Sequence, residues 1–335
     1  MKSVLFWQTP LLLFLVYFLS GYGQTVHAQE QQPTLRVQVD RVNVGVIVTD
    51  GTGKFVEGLR REDFHIFDNQ IEQPLTDFAA IQEPAQALLL IEAGPAVYLL
   101  ESGHVLAAYA LLKGLSPDDR VAVVKYAEAP QALLDFTPDK QAAEAAFEQL
   151  RFNLGFGQLN LTSSVSRVLE WLTHVQGKKT IILLSTGVDT SPSNQPAMAL
   201  QQLKTCDVRL FAVSLAGGLQ TARPANKKKT PATNSTQTTQ QFEEANQLLE
   251  QMAEATGGRA YFPASAKAFD EAYAQIAQLI RHEYSLAFAP PIRDGLVHAI
   301  EVRMDALKIP TATARASSYR LDHRRAYLAP AAAKR

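Results

Sequence analysis

The run Leu88-Leu89-Leu90-Ile91 ends on a carboxylate, Glu92, and the residues that follow, Ala93-Gly94-Pro95-Ala96, carry no side chain that can bind anything. A carboxylate in such a place accepts hydrogen bonds, faces a cation or holds a proton, and each role needs partners from elsewhere in the chain. The remaining chemistry-bearing residues narrow the choice. The seven histidines show no i,i+4 or short spacing, and with one cysteine, Cys206, there is no zinc framework. Gly155-Phe156-Gly157 begins a dinucleotide-like pattern but lacks the third glycine and follows a predicted helix rather than a strand. Neither Gly-x-Ser-x-Gly nor a phosphate-binding Walker A loop occurs. Ser163, Ser164 and Ser166 open a predicted helix, where capping explains them, and Trp171 lies beside Val168 and Leu172 as a packing residue. Nothing in these residues supports catalysis, and no cofactor is expected.

The elements that would hold Glu92 begin after an export signal. Lys2, the apolar run Leu11 to Leu19 and the small residues around Val26-His27-Ala28 form a signal segment over 1–28, cleaved after Ala28. An uncleaved segment would anchor the chain in a membrane, although Gln8, Thr9 and Pro10 interrupt it. The expected location is periplasmic, cell-envelope or secreted. With 335 residues, 47% hydrophobic and 19% charged at a net charge of -1, the rest is globular, and nucleic acid is excluded as a main partner. Cys206 alone allows no internal disulfide, and it reads as a buried, inert thiol.

Alternating apolar residues over 35–48, turns at Asp50-Gly51 and Asp68-Asn69 and a strand at 64–67 describe a small antiparallel β segment over 33–82. From Ala87 the pattern changes. Continuous apolar runs at 87–91, 120–127, 180–185 and 208–215 alternate with helical spacing at 97–115, 139–152, 161–175, 196–205, 241–255 and 266–282, with a short edge strand at 131–136 and a strand at 284–289. That is an α/β fold, a mostly parallel sheet with helices on both faces over 84–292, whose ligand sites lie at the carboxyl ends of its strands. Residues 217–240, rich in Thr, Gln, Asn and Lys, read as a disordered loop on the same rim, with Lys227-Lys228-Lys229 a solvated charge run. A C-terminal β extension over 293–322 and a flexible tail over 323–335 complete the chain.

Val48-Thr49-Asp50, Val56-Glu57-Gly58-Leu59, Glu62-Asp63-Phe64, Phe67-Asp68-Asn69, Thr256-Gly257-Gly258-Arg259-Ala260-Tyr261-Phe262 and Tyr284-Ser285-Leu286-Ala287-Phe288 stand in a recognisable order. The chain resembles the von Willebrand factor A-related proteins of the acidobacterial type over about residues 34 to 320. The resemblance implies a von Willebrand A-type, Rossmann-like sheet and a family metal site, the metal-ion-dependent adhesion site. That site is built from Asp-x-Ser-x-Ser after the first core strand, a Thr in a later loop and the Asp of Thr-Asp-Gly after the fourth. Aligned on the strand ends, Glu92, Gly94 and Ala96 stand for the first three positions, Leu159 (or Asn160, one residue on) for the Thr, and Thr186 for the second Asp. The site is degenerate, and no metal is expected, because a hard divalent cation needs several oxygen ligands with carboxylates among them. Ser185 and Asp189 are the residues that could rescue it.

The expected function is therefore an exported, non-enzymatic protein-interaction module, metal-independent, with an unknown protein partner and a contact rim at Glu92, Tyr98, Asn160, Thr162, Ser163, Thr186 and Asp189. The alternatives are a metal-dependent adhesion domain binding Mg or Mn through Glu92, Ser185, Thr186 and Asp189, an unrecognised hydrolase, and a structural envelope component.

Overall fold

The continuous apolar runs form the centre of the molecule because a parallel strand covered by helices on both faces has no polar side. The computed structural model describes residues 41–94, 109–150, 157–192, 194–217, 232–305 and 319–331. The signal segment 1–28, Ala96, Tyr98, Gly155-Phe156 and Lys227 to Lys229 lie outside them. The central sheet has six strands in the order β10-β9-β8-β5-β6-β7: β5 (Ala85–Glu92), β6 (Arg120–Tyr126), β7 (Pro130–Thr137), β8 (Lys178–Ser185), β9 (Arg209–Ser214) and β10 (Ala260–Tyr261). All neighbours run parallel except β6 and β7. Leu89, Ile91, Val123, Ile182 and Phe211 face one side, against helical residues 109–114 and the helices Lys140–Glu148 and Ala266–Leu279. Leu88, Leu90, Val124, Leu183 and Leu210 face the other, against the helices Leu161–Leu172, Pro196–Thr205 and Ala232–Ala255.

The alternating segments build a second layer. β1 (Val42–Thr49), β4 (Leu75–Gln82), β11 (His282–Phe288) and β13 (Arg320–His323) form an antiparallel sheet in the order β13-β1-β11-β4. β2 (Phe64–Asp68), β3 (Ile71–Gln73), β12 (Val297–Met304) and β14 (Ala326–Leu328) form another, β14-β12-β2-β3. Val44, Val46, Tyr284 and Leu286 from the first meet Phe64, Ile66, Ile300 and Val302 from the second, which makes a β-sandwich. The other face of β1 contributes Ile47 to the core under the central sheet.

Four expectations change. Within 33–82 only β2 and β3 pair with each other: β1, β2 and β4 pair with strands from 282 to 328, so the N-terminal β segment and the C-terminal extension are one sandwich. β11 does not extend the parallel sheet. Its alternation of Tyr284 and Leu286, buried, with Glu283 and Ser285, half-buried, suits a sheet with one core face. The loop expected over 217–240 is helical from Ala232, as the N-terminal extension of a helix whose buried side is Ala245, Leu249 and Met252. Residues 218–231 lie outside the described residues. In the expected tail, β14 pairs with β12, because Tyr327 is buried and its hydroxyl donates to Asp68 Oδ2 at 2.9 Å. No strand was expected at β3, β4, β10 or β14, and β13 straddles the end of the extension expected over 293–322.

Candidate functional site at the strand ends

β5 delivers Glu92 at its last residue. The parallel register sets Glu92 opposite Tyr126 of β6 and Ile91 opposite Leu184 of β8, so Ser185 and Thr186 arrive beside the same carboxylate. Glu92 is completely buried, at 0% exposure. Its Oε2 accepts from the Thr186 N–H at 2.8 Å, from the Ser185 hydroxyl at 2.9 Å and from the Tyr126 hydroxyl at 3.2 Å. The Thr186 hydroxyl lies 3.0 Å from Oε1 and 2.9 Å from Oε2. Tyr126 and Ser185 hydroxyls are 2.7 Å apart, and the Gly187 N–H donates to Ser185 Oγ at 2.8 Å. Gly187 is required here: its φ is +76°, and an added Cβ would meet the Ala245 carbonyl oxygen at 2.5 Å.

These donors are all neutral. Burial lifts the Glu92 carboxyl above its ordinary value, against the pull of the hydrogen bonds from Thr186, Ser185 and Tyr126. The Tyr126 hydroxyl is pushed far up by its own burial and then by the adjacent Glu92. The arrangement can hold a proton or a buried negative charge shared over four donors. Neither state needs solvent.

The rest of the aligned positions are closed in other ways. A Cβ at Gly94 would lie 2.8 Å from Leu159 Cδ2, so Leu159 packs directly on that glycine and covers the place of a serine oxygen. Asn160 caps the helix Leu161–Leu172, its side chain accepting from the Ser163 N–H at 3.2 Å. Asp189 does turn inward, but onto the first turn of that helix: Oδ2 accepts from the Thr162 N–H at 2.9 Å and the Thr162 hydroxyl at 3.0 Å, and Oδ1 from the Ser191 N–H at 3.0 Å. A carboxylate there also meets the positive end of the helix dipole. The two loops are tied together by the Thr190 N–H to the Leu159 carbonyl at 2.9 Å and the Leu159 N–H to Thr190 Oγ1 at 2.8 Å.

A hard divalent cation asks for about six oxygens in near-octahedral array. Both Glu92 oxygens and the Thr186 hydroxyl are bonded to one another, Asp189 is held by Thr162 and Ser191, and Gly94 and Leu159 offer no side-chain oxygen. Among the described residues no three His, Cys, Asp or Glu side chains converge as a metal-binding group. The residues present do not fit such an ion.

Of the residues expected on a contact rim, Glu92 and Thr186 are buried within their network and Thr162 beside Asp189, Asn194 and Gln195, so none of the three has surface to offer. Asn160, Ser163 and Asp189 are half-buried, and Tyr98 lies outside the described residues. The exposed side chains on these loops are Gln158, Thr190, Pro192, Asn194 and Gln195. Tyr126 was missed by sequence reasoning. Its signal was the alignment of the carboxyl ends of 87–92 and 120–126, which puts it level with Glu92.

The family model of the von Willebrand factor type A domain matches residues 106–275, half of the chain. No curated protein matches. Among solved structures, a von Willebrand factor type A protein from Catenulispora acidiphila is 12% identical, covering 80% of this chain and 74% of its own at a TM-score of 0.45. An aerotolerance-related membrane protein from Bacteroides fragilis is 12% identical, covering 59% and 98% at 0.43. A manganese-loaded TRAP protein from Plasmodium vivax is 13% identical, covering 78% and 97% at 0.40. With the matched model covering β6 to β10 of the central sheet and the helices between them, the chain belongs to the von Willebrand factor type A domain family.

Proposed function

We propose that this chain is an exported, non-enzymatic protein-interaction module of the acidobacterial type, with a degenerate adhesion site that works without a divalent cation. The family typically mediates protein interactions, and the rim at the carboxyl ends of β5, β6 and β8 is its contact face here. One observation carries the metal-free reading: the single carboxylate kept at the aligned positions, Glu92, is buried and its oxygens are taken by Thr186, Ser185 and Tyr126. The partner then meets a surface of uncharged polar groups, Gln158, Thr190, Asn194 and Gln195, on loops held together by the Leu159 and Thr190 backbone bonds. Such a face binds by shape and hydrogen bonding rather than through a bridging ion.

Thermal unfolding of the chain from Gln29 on, in EDTA and then in millimolar Mg²⁺ or Mn²⁺, tests the metal. The expected curves coincide. A ligand at a hundred times its dissociation constant would add about 2.7 kcal/mol, and an upward shift of that size, lost in Glu92→Ala, would establish the metal-dependent alternative. The contact face is tested by photo-cross-linking residues placed at Thr190 and at Glu62. Discrete adducts in the native envelope from Thr190 alone are expected. Adducts from neither would leave the structural-component reading in its place.

A further inference from the structure

Among the described residues three sheets have six edges, and five of them carry a feature that discourages another strand from pairing. β10 has two residues, β3 and β14 three each, and β13 is four residues long and begins with Arg320. β7 is longer but starts on Pro130, carries Asp135 and shifts register twice against β6. Short length, proline, charge and irregularity are the usual protections of an exposed edge. β4 lacks them. It spans eight residues, Leu75–Gln82, pairs regularly with β11 from Asp77 to Gln82, and has one charge, Asp77, beside the irregularity at its start. Thr76, Asp77, Ala79, Ala80 and Gln82 are exposed, and among the described residues no strand pairs with its outer side.

We propose that this edge takes the β4 strand of a second copy of the chain, antiparallel, about a two-fold axis through Ala79. The sequence of the strand is self-complementary in that register. Thr76 meets Gln82, polar with polar. Phe78, which packs against Phe64 and Tyr284 on the sandwich side, meets the small Ala80. Asp77 meets Ile81 and never its own copy, and Ala79 meets Ala79. Shifting the axis to Ala80 would set Asp77 against Glu83, two like charges directly opposed, which is unfavourable. An isologous contact of this kind joins the two four-stranded sheets into one of eight. The Asp77 Oδ1 that now accepts the Phe78 N–H at 2.9 Å releases it to the partner strand. Pairing of one strand with one strand is a small interface, so the dimer is weak and concentration-dependent.

Sedimentation velocity on the chain from Gln29 on, over a concentration series, is expected to show monomer passing to dimer. Ala79→Lys puts two lysines on the axis at an exposed position and should weaken the dimer about tenfold or more. Ala132→Lys, exposed on the protected edge β7, should leave it unchanged. Directly opposed residues in an antiparallel pair have Cα atoms about 4.5 to 5.5 Å apart, within the roughly 4.4 to 6.8 Å that a disulfide spans. Ala79→Cys with Cys206→Ala should therefore cross-link on oxidation, and Thr76→Cys in the same background should not. A monomer at every concentration, a dimer indifferent to Ala79→Lys, or a β4 edge occupied only by a strand of another protein would each overturn the proposal. Melting curves of the variants, expected to match the parent, separate a lost contact from a lost fold.

Discussion

The two ends of the central sheet bury charge in opposite ways. At the carboxyl ends, Glu92 has neutral donors and its carboxyl is lifted by burial. At the amino ends, where the sheet meets the sandwich, charges are paired: Arg209 NH2 lies 3.1 Å from Glu283 Oε2, Lys178 Nζ 3.3 Å from the same oxygen, and Arg259 pairs with Asp322 while donating to Thr49 Oγ1 at 3.1 Å. Here the Thr256-Gly257-Gly258-Arg259 motif finds its use. Arg209 donates to the Gly257 carbonyl, a Cβ at Gly258 would collide with the Leu210 carbonyl oxygen, and Arg259 reaches across to β1 and β13. The floor thus joins two layers by ion pairs, and the rim ties β5, β6 and β8 together by hydrogen bonds around one carboxylate. Removing one partner from a buried pair leaves a stranded charge, and removing one donor from Glu92 does not.

The largest effect should come from breaking the floor. Among the described residues, Arg259→Ala leaves the Asp322 carboxylate, 7% exposed, with Arg320 Nε alone at 2.8 Å, on a side chain that is half in solvent. A loss of ~3–5 kcal/mol is expected in urea unfolding. Arg259→Met with Asp322→Leu should recover most of it, since paired apolar replacements strand no charge. If the double variant were as weak as the single, packing rather than charge would hold the floor.

Next comes the lysine that shares its carboxylate. Burial depresses Lys178 from 10.5 to about 8, offset in part by Glu283 and reinforced by Arg209. Between those two values the unfolded chain binds more protons than the folded one, so stability rises with pH across that window and is lowest below it. A tenfold change in proton affinity is about 1.4 kcal/mol, which caps the rise at ~3.5 kcal/mol. Lys178→Met should flatten the profile from pH 8 upward.

How much of this contrast was legible follows from the range of the interactions. The strand at 87–91 and the carboxylate closing it stand out because burial on both faces needs an unbroken apolar run, and the same holds for Ile181 to Leu184. Tyr126 did not stand out, because a tyrosine ending an apolar strand reads as core until the register sets it beside Glu92. Leu159 is named by its position, but only packing shows that it seals Gly94. β4 was hidden because Phe78-Ala79-Ala80-Ile81 lacks alternation, and the sandwich because β1 pairs with β11 and β13 from the far end of the chain. The helical turns before Gln240 were hidden because Thr- and Gln-rich composition carries no apolar spacing.

At the rim the effects are smaller. Glu92→Ala leaves the Thr186 N–H and the Ser185 hydroxyl without their acceptor and should cost ~1–3 kcal/mol. Glu92→Gln keeps an acceptor oxygen and removes the charge. Because the folded carboxyl titrates above its ordinary 4.5, the parent loses stability as pH rises from there through the folded value, and the Gln variant should not. At neutral pH, chemical denaturation should find Glu92→Gln at least as stable as the parent. A drop instead would mean that the rim is organised around the negative charge, as a cation site would be.

The smallest effect tests whether Asp189 serves the helix or a ligand. Its Oδ2 takes the Thr162 N–H and hydroxyl at the first turn of the helix Leu161–Leu172, and Oδ1 takes the Ser191 N–H, so these bonds tie its loop to the helix and to itself. Asp189→Ala should lower stability by ~0.5–2 kcal/mol, the range for losing a cap. Asp189→Asn retains an acceptor oxygen for Thr162 but sets its NH2 against the Ser191 N–H, giving up that bond as well as the charge at the helix terminus, so a loss of similar size is expected, about 0.5–2 kcal/mol. Both losses should be the same in EDTA and in Mg²⁺. Were the gap between Asp and Asn to widen when Mg²⁺ is added, the charge would be serving an ion, and the rim and the floor would resemble each other more than their hydrogen bonds indicate.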